Sequence, residues 1–439
     1  MKLPENVLVC IRTLENAGHQ CYAVGGCVRD SLLGRTPTDY DLCTDALPEE
    51  TVALFSDHTL VRAGEKHGTI GVVMDGQVYE ITTFRTEGGY TDSRHPGWVR
   101  FVPDLREDLK RRDFTVNAMA YSPTQGYIDP FGGAQDLQNG VLRTVGDPTD
   151  RFTEDALRIL RGVRFSVRFG LEPEFATEKS MQQLCPLLDS LARERVFDEL
   201  CKLILSINAR QILRFAPVLC RAIPQLAPCR DFCQHSPHHA YDVLTHTAYV
   251  VENTAPVLPL RWAALLHDIG KPQVFTQDEN SRGHFYGHAA AGAQMASEIL
   301  QTLRAPTALR EKVVFLIQHH MTPFSPDKKL LRRRLGKYGV ENCRLLLQLQ
   351  KADDRAKGVP GDNDPEFFSL MEELLEQVLR EDACLTVRDL DVDGKDLIAI
   401  GFAPGKQLGQ MLERLLELVQ QEELPNEKAA LLAAAKEEL

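Results

Sequence analysis

The chain has 439 residues, of which 43% are hydrophobic and 26% are charged, and its formal net charge is −12. This length exceeds what a single hydrophobic core supports, so we expect roughly two to four domains. The amphipathic N-terminal segment carries Glu5 and Glu15, and no apolar run is long enough to span a membrane. These features exclude a membrane protein and predict a cytoplasmic one.

The acidity is concentrated in residues 360–439, which hold 19 acidic and 7 basic side chains. The remaining chain therefore has no net charge. Its basic runs, at Lys110–Arg112, Arg158–Arg168 and Lys328–Lys337, can contact phosphate locally. The overall charge thus does not exclude a nucleic-acid substrate.

The 11 cysteines are odd in number and scattered, which predicts reduced thiols rather than a disulfide framework. One cluster imitates a zinc site and comprises Cys229, Cys233, His235, His238 and His239. It lacks a second spaced pair of ligands, so we interpret it as a loop between domains.

Residues 1–145 alternate short strand-like runs with helix signals, which predicts an α/β head. The apolar run Cys21–Val24 predicts a buried strand, and Gly25 and Gly26 permit a tight turn before the helix CVRDSLLG. A triphosphate can rest on such a turn because the following helix starts there.

Two aspartates, Asp39 and Asp41, follow in the segment TDYDL. The two-residue period of a strand directs both carboxylates to the same face. Paired carboxylates can hold two magnesium ions, which stabilise the attacking hydroxyl and the leaving pyrophosphate in an in-line displacement. Glu80, in the predicted strand VYEITTF, is a candidate third carboxylate or an exposed strand glutamate. Together with the glycine turn, this pattern favours metal-assisted nucleotidyl transfer.

The pattern becomes helical after the head. The glycine-rich stretch Arg85–Phe101 predicts a loop, and FTEDALRILRGVRFSVRFG predicts a helix capped at Thr153 and terminated by Gly170. Proline-rich breaks further along supply domain boundaries, near residues 224–237, 256–259 and 360–365. We expect a head at 1–145, a helical neck at 146–235, a third domain at 236–357 and an acidic helical tail at 358–439.

On that helix, Asp155, Arg158, Arg161 and Arg164 recur every three positions, so neighbours in the row touch while its ends diverge. An acceptor beside a donor complements the pairing edges of cytosine and adenine and opposes those of guanine and uracil. The Asp155–Arg158 pair is therefore a candidate base reader. The alternative is an ordinary helical ion pair.

The motifs GGCVRDSLLG, TDYDL, RRDFTVNAMAY, DPFGG and EDALRILRGVRF, in that order, resemble those of the bacterial class II tRNA nucleotidyltransferases, the CCA-adding enzymes. The C-terminal stretch DGKDLIAIGFAPGKQLGQMLERLLE is also similar. This resemblance implies an α+β multidomain fold, with an α/β head followed by all-α neck and tail domains. It also implies addition of C, C and A to the tRNA 3′ end from CTP and ATP, without a nucleic-acid template.

The resemblance assigns roles to individual residues. Asp39 and Asp41 would bind magnesium, and Asp155 and Arg158 would read the base. The residues that would hold the nucleotide and its phosphates or complete its site are Gly26, Arg29, Arg112, Arg161 and Arg164. CC-adding relatives lack a loop that this chain keeps at Thr86–Val99, so we expect full CCA addition.

A second set of potential metal ligands lies downstream, in the order H…HD…H…HH…D. Histidine and aspartate suit borderline to hard divalent metals, which activate water at an open coordination position. The order resembles the HD-type metal phosphohydrolases over residues 238–355. That resemblance implies one divalent transition metal on His246, His267, Asp268 and Asp353, with Asp354 as the rival of Asp353.

A possible second metal of this HD domain would use His288 and His319, with His320 as the alternative to His319. We expect a phosphatase or 2′,3′-cyclic phosphodiesterase that acts on damaged tRNA ends. Four other functions remain open: a poly(A) polymerase, a partial enzyme that adds only A or only CC, a non-catalytic RNA-binding protein, and a free-nucleotide HD hydrolase with a vestigial head.

Overall fold

A computed structural model describes residues 1–88, 98–359, 365–381 and 384–439. The chain forms two compact units, one of residues 1–207 and 214–224, the other of residues 208–213 and 225–439. The loop predicted over Arg85–Phe101 is wrong at its two ends, because Arg85–Gly88 and Trp98–Phe101 pair as antiparallel strands. Residues 89–97, the centre of the stretch Thr86–Val99, lie outside the described residues. The finer domain boundaries at residues 145, 235 and 357 stay predictions.

The head alternates short strands and helices, as expected. Its elements are α1 (Glu5–Asn16), β1 (Cys21–Val24), α2 (Gly26–Leu32), β2 (Asp41–Thr44), α3 (Pro48–Leu54), β3 (Thr59–Val61), β4 (Thr69–Met74), β5 (Gln77–Thr83), β6 (Arg85–Gly88), β7 (Trp98–Phe101), α4 (Leu105–Lys110), β8 (Ala120–Ser122), β9 (Gly126–Ile128), α5 (Gly133–Gln138) and β10 (Val141–Leu142).

Among the described residues, the main sheet of the head has seven strands in the order β3-β4-β5-β2-β1-β8-β9. β2 and β5 run parallel, with Leu42 opposite Ile81, whereas the other neighbours are antiparallel. Residues of β1 alternate between two hydrophobic clusters, one shared with α1 and one with α4. Because both faces of β1 are covered, its sequence CYAV is apolar throughout.

Helices dominate the segment that follows the head. They are α6 (Pro148–Glu154), α7 (Leu157–Phe169), α8 (Phe175–Leu184), α9 (Arg193–Ile204), α10 (Ala209–Arg214) and α11 (Ala216–Ala222), and a short strand β11 (Glu172–Pro173) pairs with β10.

The prediction of one helix capped at Thr153 is wrong, because Thr153 lies inside α6. The cap is Asp147, whose carboxylate accepts the backbone N–H groups of the first turn. The chain then breaks at Asp155, which has an extended backbone with φ −141° and ψ 102°. α7 ends at Gly170 as predicted, in the left-handed conformation with φ 67°.

The second unit is mostly helical. Its elements are α12 (Val243–Asn253), α13 (Leu258–Leu266), α14 (Lys271–Val274), β12 (Thr276–Gln277), β13 (Gly283–His284), α15 (His288–Thr302), α16 (Thr307–His319), α17 (Lys328–Tyr338), α18 (Val340–Arg355), α19 (Pro365–Arg380), α20 (Gly394–Ile400), α21 (Lys406–Gln420) and α22 (Lys428–Glu437). The C-terminal helices share a core that includes Leu397, Met411, Leu415 and Leu431. Within the described ranges, no helix combines the length and apolarity needed to cross a membrane.

Candidate functional site

The turn after β1 requires glycine at its first position. Gly25 has φ 76°, and a Cβ atom there would lie 3.0 Å from Nη1 of Arg112. Gly26 is the first residue of α2. Nη2 of Arg112 also lies 3.4 Å from a carboxylate oxygen of Asp108. The turn and a predicted phosphate-binding arginine are thus packed against each other.

Arg29, the other predicted arginine of this region, is buried with 6% of its surface exposed. Its guanidinium donates to the side-chain oxygen of Asn117 and lies 2.7 Å from a carboxylate oxygen of Asp30. The guanidinium carbon is 4.1 Å from the ring centre of Phe169. These contacts fix Arg29 against α7, where it can support the turn.

Asp39, Asp41 and Glu80 line one cavity of about 690 Å³. The expectation that both aspartates lie on a strand is wrong in one respect, because β2 begins at Asp41 and Asp39 precedes it. The parallel register of β2 and β5 places Asp41 and Glu80 at neighbouring positions of adjacent strands. This explains how a glutamate forty residues downstream reaches the aspartate pair.

The surroundings of Asp41 disfavour its charge. Loss of hydration raises the pKa of Asp41, Arg112 acts to lower it, and the like charge of Asp39 raises it again. A divalent cation would remove this repulsion, and carboxylate oxygens are the donors that magnesium prefers. The residues at this cavity therefore fit a magnesium site.

The predicted base-reading row is resolved into separate ion pairs. A single helix would have made Asp155 and Arg158 side-chain partners. They are not partners, because Asp155 lies in the break before α7. Each side chain of the row instead pairs with a residue outside the row, at the following distances: Asp155 to Arg195, 2.9 Å; Arg158 to Glu154, 2.7 Å; Arg161 to Asp113, 2.7 Å; Arg164 to Glu199, 2.6 Å.

Sequence reasoning missed the two partners on α9. Arg195 and Glu199 are one helical turn apart, so α9 presents both to the region around α7. The stretch RERVFDEL carries this spacing, but it gives no indication of which residues lie opposite. Arg164 and Glu199 are both buried, so neither charge can be left unpaired without a large cost.

In the second unit, four of the predicted HD ligands converge. Nε2 of His246 lies 2.9 Å from Asp353 and 3.5 Å from Asp268, and Nε2 of His267 lies 3.2 Å from Asp268. The Nδ1 atoms of both histidines face backbone carbonyls, which directs Nε2 into the cluster. Asp354 instead pairs with Lys357 at 3.0 Å.

A second group adjoins the first through Asp268. Nε2 of His288 lies 3.6 Å from Asp268 and 3.2 Å from Nε2 of His320. The choice of His319 for this group is therefore wrong. The His319 ring packs on Tyr338, with 4.8 Å between ring centres, because it leaves α16 in a different direction.

The electrostatics of this cluster suit a divalent metal. Burial lowers the pKa of His320 to about 4, so its imidazole is neutral and keeps a lone pair. Burial alone would raise the pKa of Asp268, but His267 and Lys271 hold it well below its ordinary value. Nε2 of His246 and of His267 are buried without a well-aligned hydrogen bond. The donor set thus fits a metal-binding site.

Two further residues of the cluster escaped sequence reasoning. Nζ of Lys271 lies 2.6 Å from Asp268, and the His239 ring centre is 5.0 Å from that of His246. His239 belonged to the zinc-like cluster in sequence. In the part of the chain that the structure describes, neither Cys229 nor Cys233 joins a candidate metal group.

Three family models match the chain. They are the poly A polymerase head domain over residues 21–143, the probable RNA and SrmB-binding site of polymerase A over 170–215, and the HD domain over 238–358. The head and HD matches cover the two sites described above.

The names of the similar proteins distinguish between the functions that share this head domain. A CCA-adding enzyme of Leuconostoc mesenteroides is 49% identical over 203 residues, which are 46% of this chain and 50% of that enzyme. The CCA-adding enzyme of Streptococcus gordonii is 33% identical over 437 residues, covering 99% of this chain and 97% of that enzyme. The chain belongs to the CCA-adding enzymes.

The fold agrees with this membership. A crystal structure of the Bacillus stearothermophilus CCA-adding enzyme in complex with CTP matches with a TM-score of 0.73 and 30% identity, covering 100% of this chain and 98% of the other. The expected fold class and the expected nucleotidyltransferase family with an HD domain are confirmed. As a CCA-adding enzyme, the chain is separated from the poly(A) polymerases, which share the head.

Proposed function

We propose that this chain adds C, C and A to the 3′ end of tRNA, with CTP and ATP as substrates. The observation that carries the proposal is the cavity lined by Asp39, Asp41 and Glu80 in a chain that aligns with a CCA-adding enzyme over nearly its full length. Arg112 links this cavity to the glycine turn, since it acts on Asp41 and lies against Gly25.

Asp39 and Asp41 would hold magnesium, which stabilises negative charge on the triphosphate when it is bound. Arg112 offers a positive charge to the same phosphates, and the turn at Gly25 and Gly26 offers backbone N–H groups. The terminal ribose hydroxyl of the RNA releases its proton to solvent and its oxygen bonds to the α-phosphorus, while the bond to pyrophosphate breaks and pyrophosphate leaves. Arg29 supports the turn through Asn117.

Base selection falls to Asp155 and Arg158. A carboxylate has about four lone-pair sites, so Asp155 can accept from Arg195 and from a base amino group together. Arg158, held by Glu154, can donate to the neighbouring ring nitrogen. Cytosine and adenine offer a donor to Asp155 and an acceptor to Arg158. Guanine and uracil would place an acceptor against the Asp155 carboxylate and a donor against the Arg158 guanidinium. Arg161 and Arg164 keep α7 in place through their own ion pairs.

The substitution Asp41→Asn tests the catalytic assignment. It is expected to lower CTP incorporation into tRNA that lacks its 3′ end by at least about 100-fold, because the bound metal supplies several kcal/mol of stabilisation. Filter binding of tRNA should be unchanged. The matched control is Asp57→Asn at an exposed head position. Wild-type incorporation by the Asp41 variant would refute the assignment.

We also propose that the HD cluster hydrolyses 2′,3′-cyclic phosphates or phosphomonoesters at tRNA ends. The support is the pair of buried Nε2 atoms on His246 and His267, which face carboxylates without a well-aligned hydrogen bond. A bound divalent transition metal would supply an activated water. In the reaction, water adds across one P–O bond and the ester oxygen leaves as a hydroxyl.

Hydrolysis of 2′,3′-cAMP in the presence of manganese, nickel or cobalt tests this second activity. The parent chain should turn the substrate over, and Asp268→Ala should reduce turnover to background. Glu298→Gln, an exposed position on α15, is the control for a change of charge. Equal turnover by the parent and the Asp268 variant would remove the proposal.

A further inference from the structure

An exposed aromatic side chain stands beside the HD cluster. Tyr286 has 80% of its surface exposed, and its ring is stacked on that of His284 with 7° between planes and 5.4 Å between centres. Tyr286 is two residues before His288, whose Nε2 faces His320. Neither Tyr286 nor His284 belongs to the metal-binding groups described above.

The residues around Tyr286 hold it in place. His284 lies in β13 opposite Thr276, and its Nε2 is 3.0 Å from a carboxylate oxygen of Asp278. Phe285, the residue between the two stacked rings, packs on Phe275 with 5.6 Å between ring centres. The ring of Tyr286 is therefore exposed on an anchored backbone rather than on a free loop.

The same backbone is tied to the cluster. The carbonyl oxygen of Phe285 accepts from the backbone N–H of His288 at 3.1 Å and lies 2.8 Å from its Nδ1. Nζ of Lys271 is 5.3 Å from the Phe285 ring centre and 2.6 Å from Asp268. A positive charge thus stands between the metal ligands and the aromatic segment.

This arrangement suits a nucleotide. The backbone from Tyr286 to His288 spans at most about 7 Å. The phosphate and the base of one nucleotide are a similar distance apart. Every base has a π-face, so stacking on an exposed aromatic ring binds bases with little regard to sequence. Lys271 can meet the phosphate that the cluster acts on.

We propose that Tyr286, backed by His284, is a base-stacking platform of the HD site. The site then takes nucleoside 2′,3′-cyclic phosphates and nucleoside monophosphates in preference to phosphoesters that lack a base. This inference rests on the proposed phosphohydrolase function and adds to it a residue that recognises the base of the substrate.

Calorimetric titration of the full-length, manganese-loaded chain with 2′-GMP tests the platform. Guanine is chosen because the head is proposed to reject it. Tyr286→Ala should weaken binding roughly 5- to 150-fold, the range of one lost base stack. Tyr286→Phe should bind like the parent. Phe175→Ala is the matched control, since Phe175 is 81% exposed in the other unit, and it should have no effect.

A base-free ligand completes the test. Tyr286→Ala should leave the affinity for glycerol 2-phosphate unchanged, and it should raise the KM for 2′,3′-cGMP but not that for glycerol 1,2-cyclic phosphate. The platform is overturned if the parent does not bind 2′-GMP or if Tyr286→Ala binds it with the parent's affinity. It is also overturned if Tyr286→Ala lowers the affinities for 2′-GMP and glycerol 2-phosphate equally. Binding of 2′-GMP that depends on Tyr286 without hydrolysis of either cyclic ester would refute the hydrolase alone.

Discussion

His319 and His320 are adjacent in the chain, and the backbone sends their side chains to different places. His320 is buried beside His288 and Asp268, whereas His319 packs on Tyr338. A metal bound by the second group would therefore depend on His320 alone of this pair.

The pair provides a matched metal-binding experiment. His320→Gln is expected to lower manganese affinity at least about 10-fold, because it removes an imidazole that either binds the metal or contacts the candidate ligand His288. His319→Gln should leave affinity unchanged. Calorimetric titration of the metal-free full-length chain measures both, and equal losses in the two variants would contradict the placement.

Arg195 forms an ion pair with Asp155, and we propose that it orients this base-reading carboxylate. Its guanidinium lies 2.9 Å from Asp155, so Arg195→Gln should free that carboxylate and lower kcat/KM for both CTP and ATP by about 10-fold. Misincorporation of UTP and GTP should rise at the same time. Arg193→Gln, two residues earlier on α9, is the control. Unchanged selectivity in the Arg195 variant would argue against the orienting role.

At the scale of elements, sequence pattern predicted some features well and missed others for a physical reason. The apolar run of β1, the turn at Gly25 and the end of α7 at Gly170 are local signals, and the structure contains all three. The break at Asp155 was missed because the cap was assigned to Thr153 instead of Asp147. The residues before and after Asp155 were therefore assigned to one helix, although they belong to α6 and α7. Three of the ion-pair partners, Asp113, Arg195 and Glu199, were missed because they are distant in the sequence, whereas Glu154 is a local partner four residues before Arg158.

One of those long-range pairs predicts a pH dependence. Burial alone would raise the pKa of Asp113, but Arg161 and the Asn117 amide lower it from 3.8 to about 2. The charged carboxylate therefore stabilises the fold above pH 4, and that stabilisation is lost as the pH falls toward 2. Its size is about 2 kcal/mol.

The variant Asp113→Asn should lower the free energy of unfolding by about that amount at pH 7. The difference from the parent should shrink as the pH is lowered from 4. Urea denaturation followed by circular dichroism measures both chains, with Asp57→Asn as control. A difference that stays constant with pH would show that the Asp113 charge is not its origin.

At the scale of the whole molecule, the order of motifs along the chain was more informative than the bulk composition. The net charge of −12 does not indicate an enzyme of tRNA, yet the chain is a member of the CCA-adding enzymes, with one candidate site in each compact unit. Membership and fold class were predictable because motif order is a property of sequence. The direction of each side chain was not, as His319 demonstrates.

Extension of a tRNA that lacks its 3′ CCA, with each nucleotide alone and then with both, tests the central claim most directly. CTP alone should add two residues, ATP alone should add none to that end, and the mixture should yield CCA. Products that stop at CC in the mixture, or long A tails made from ATP on a generic RNA, would contradict the account.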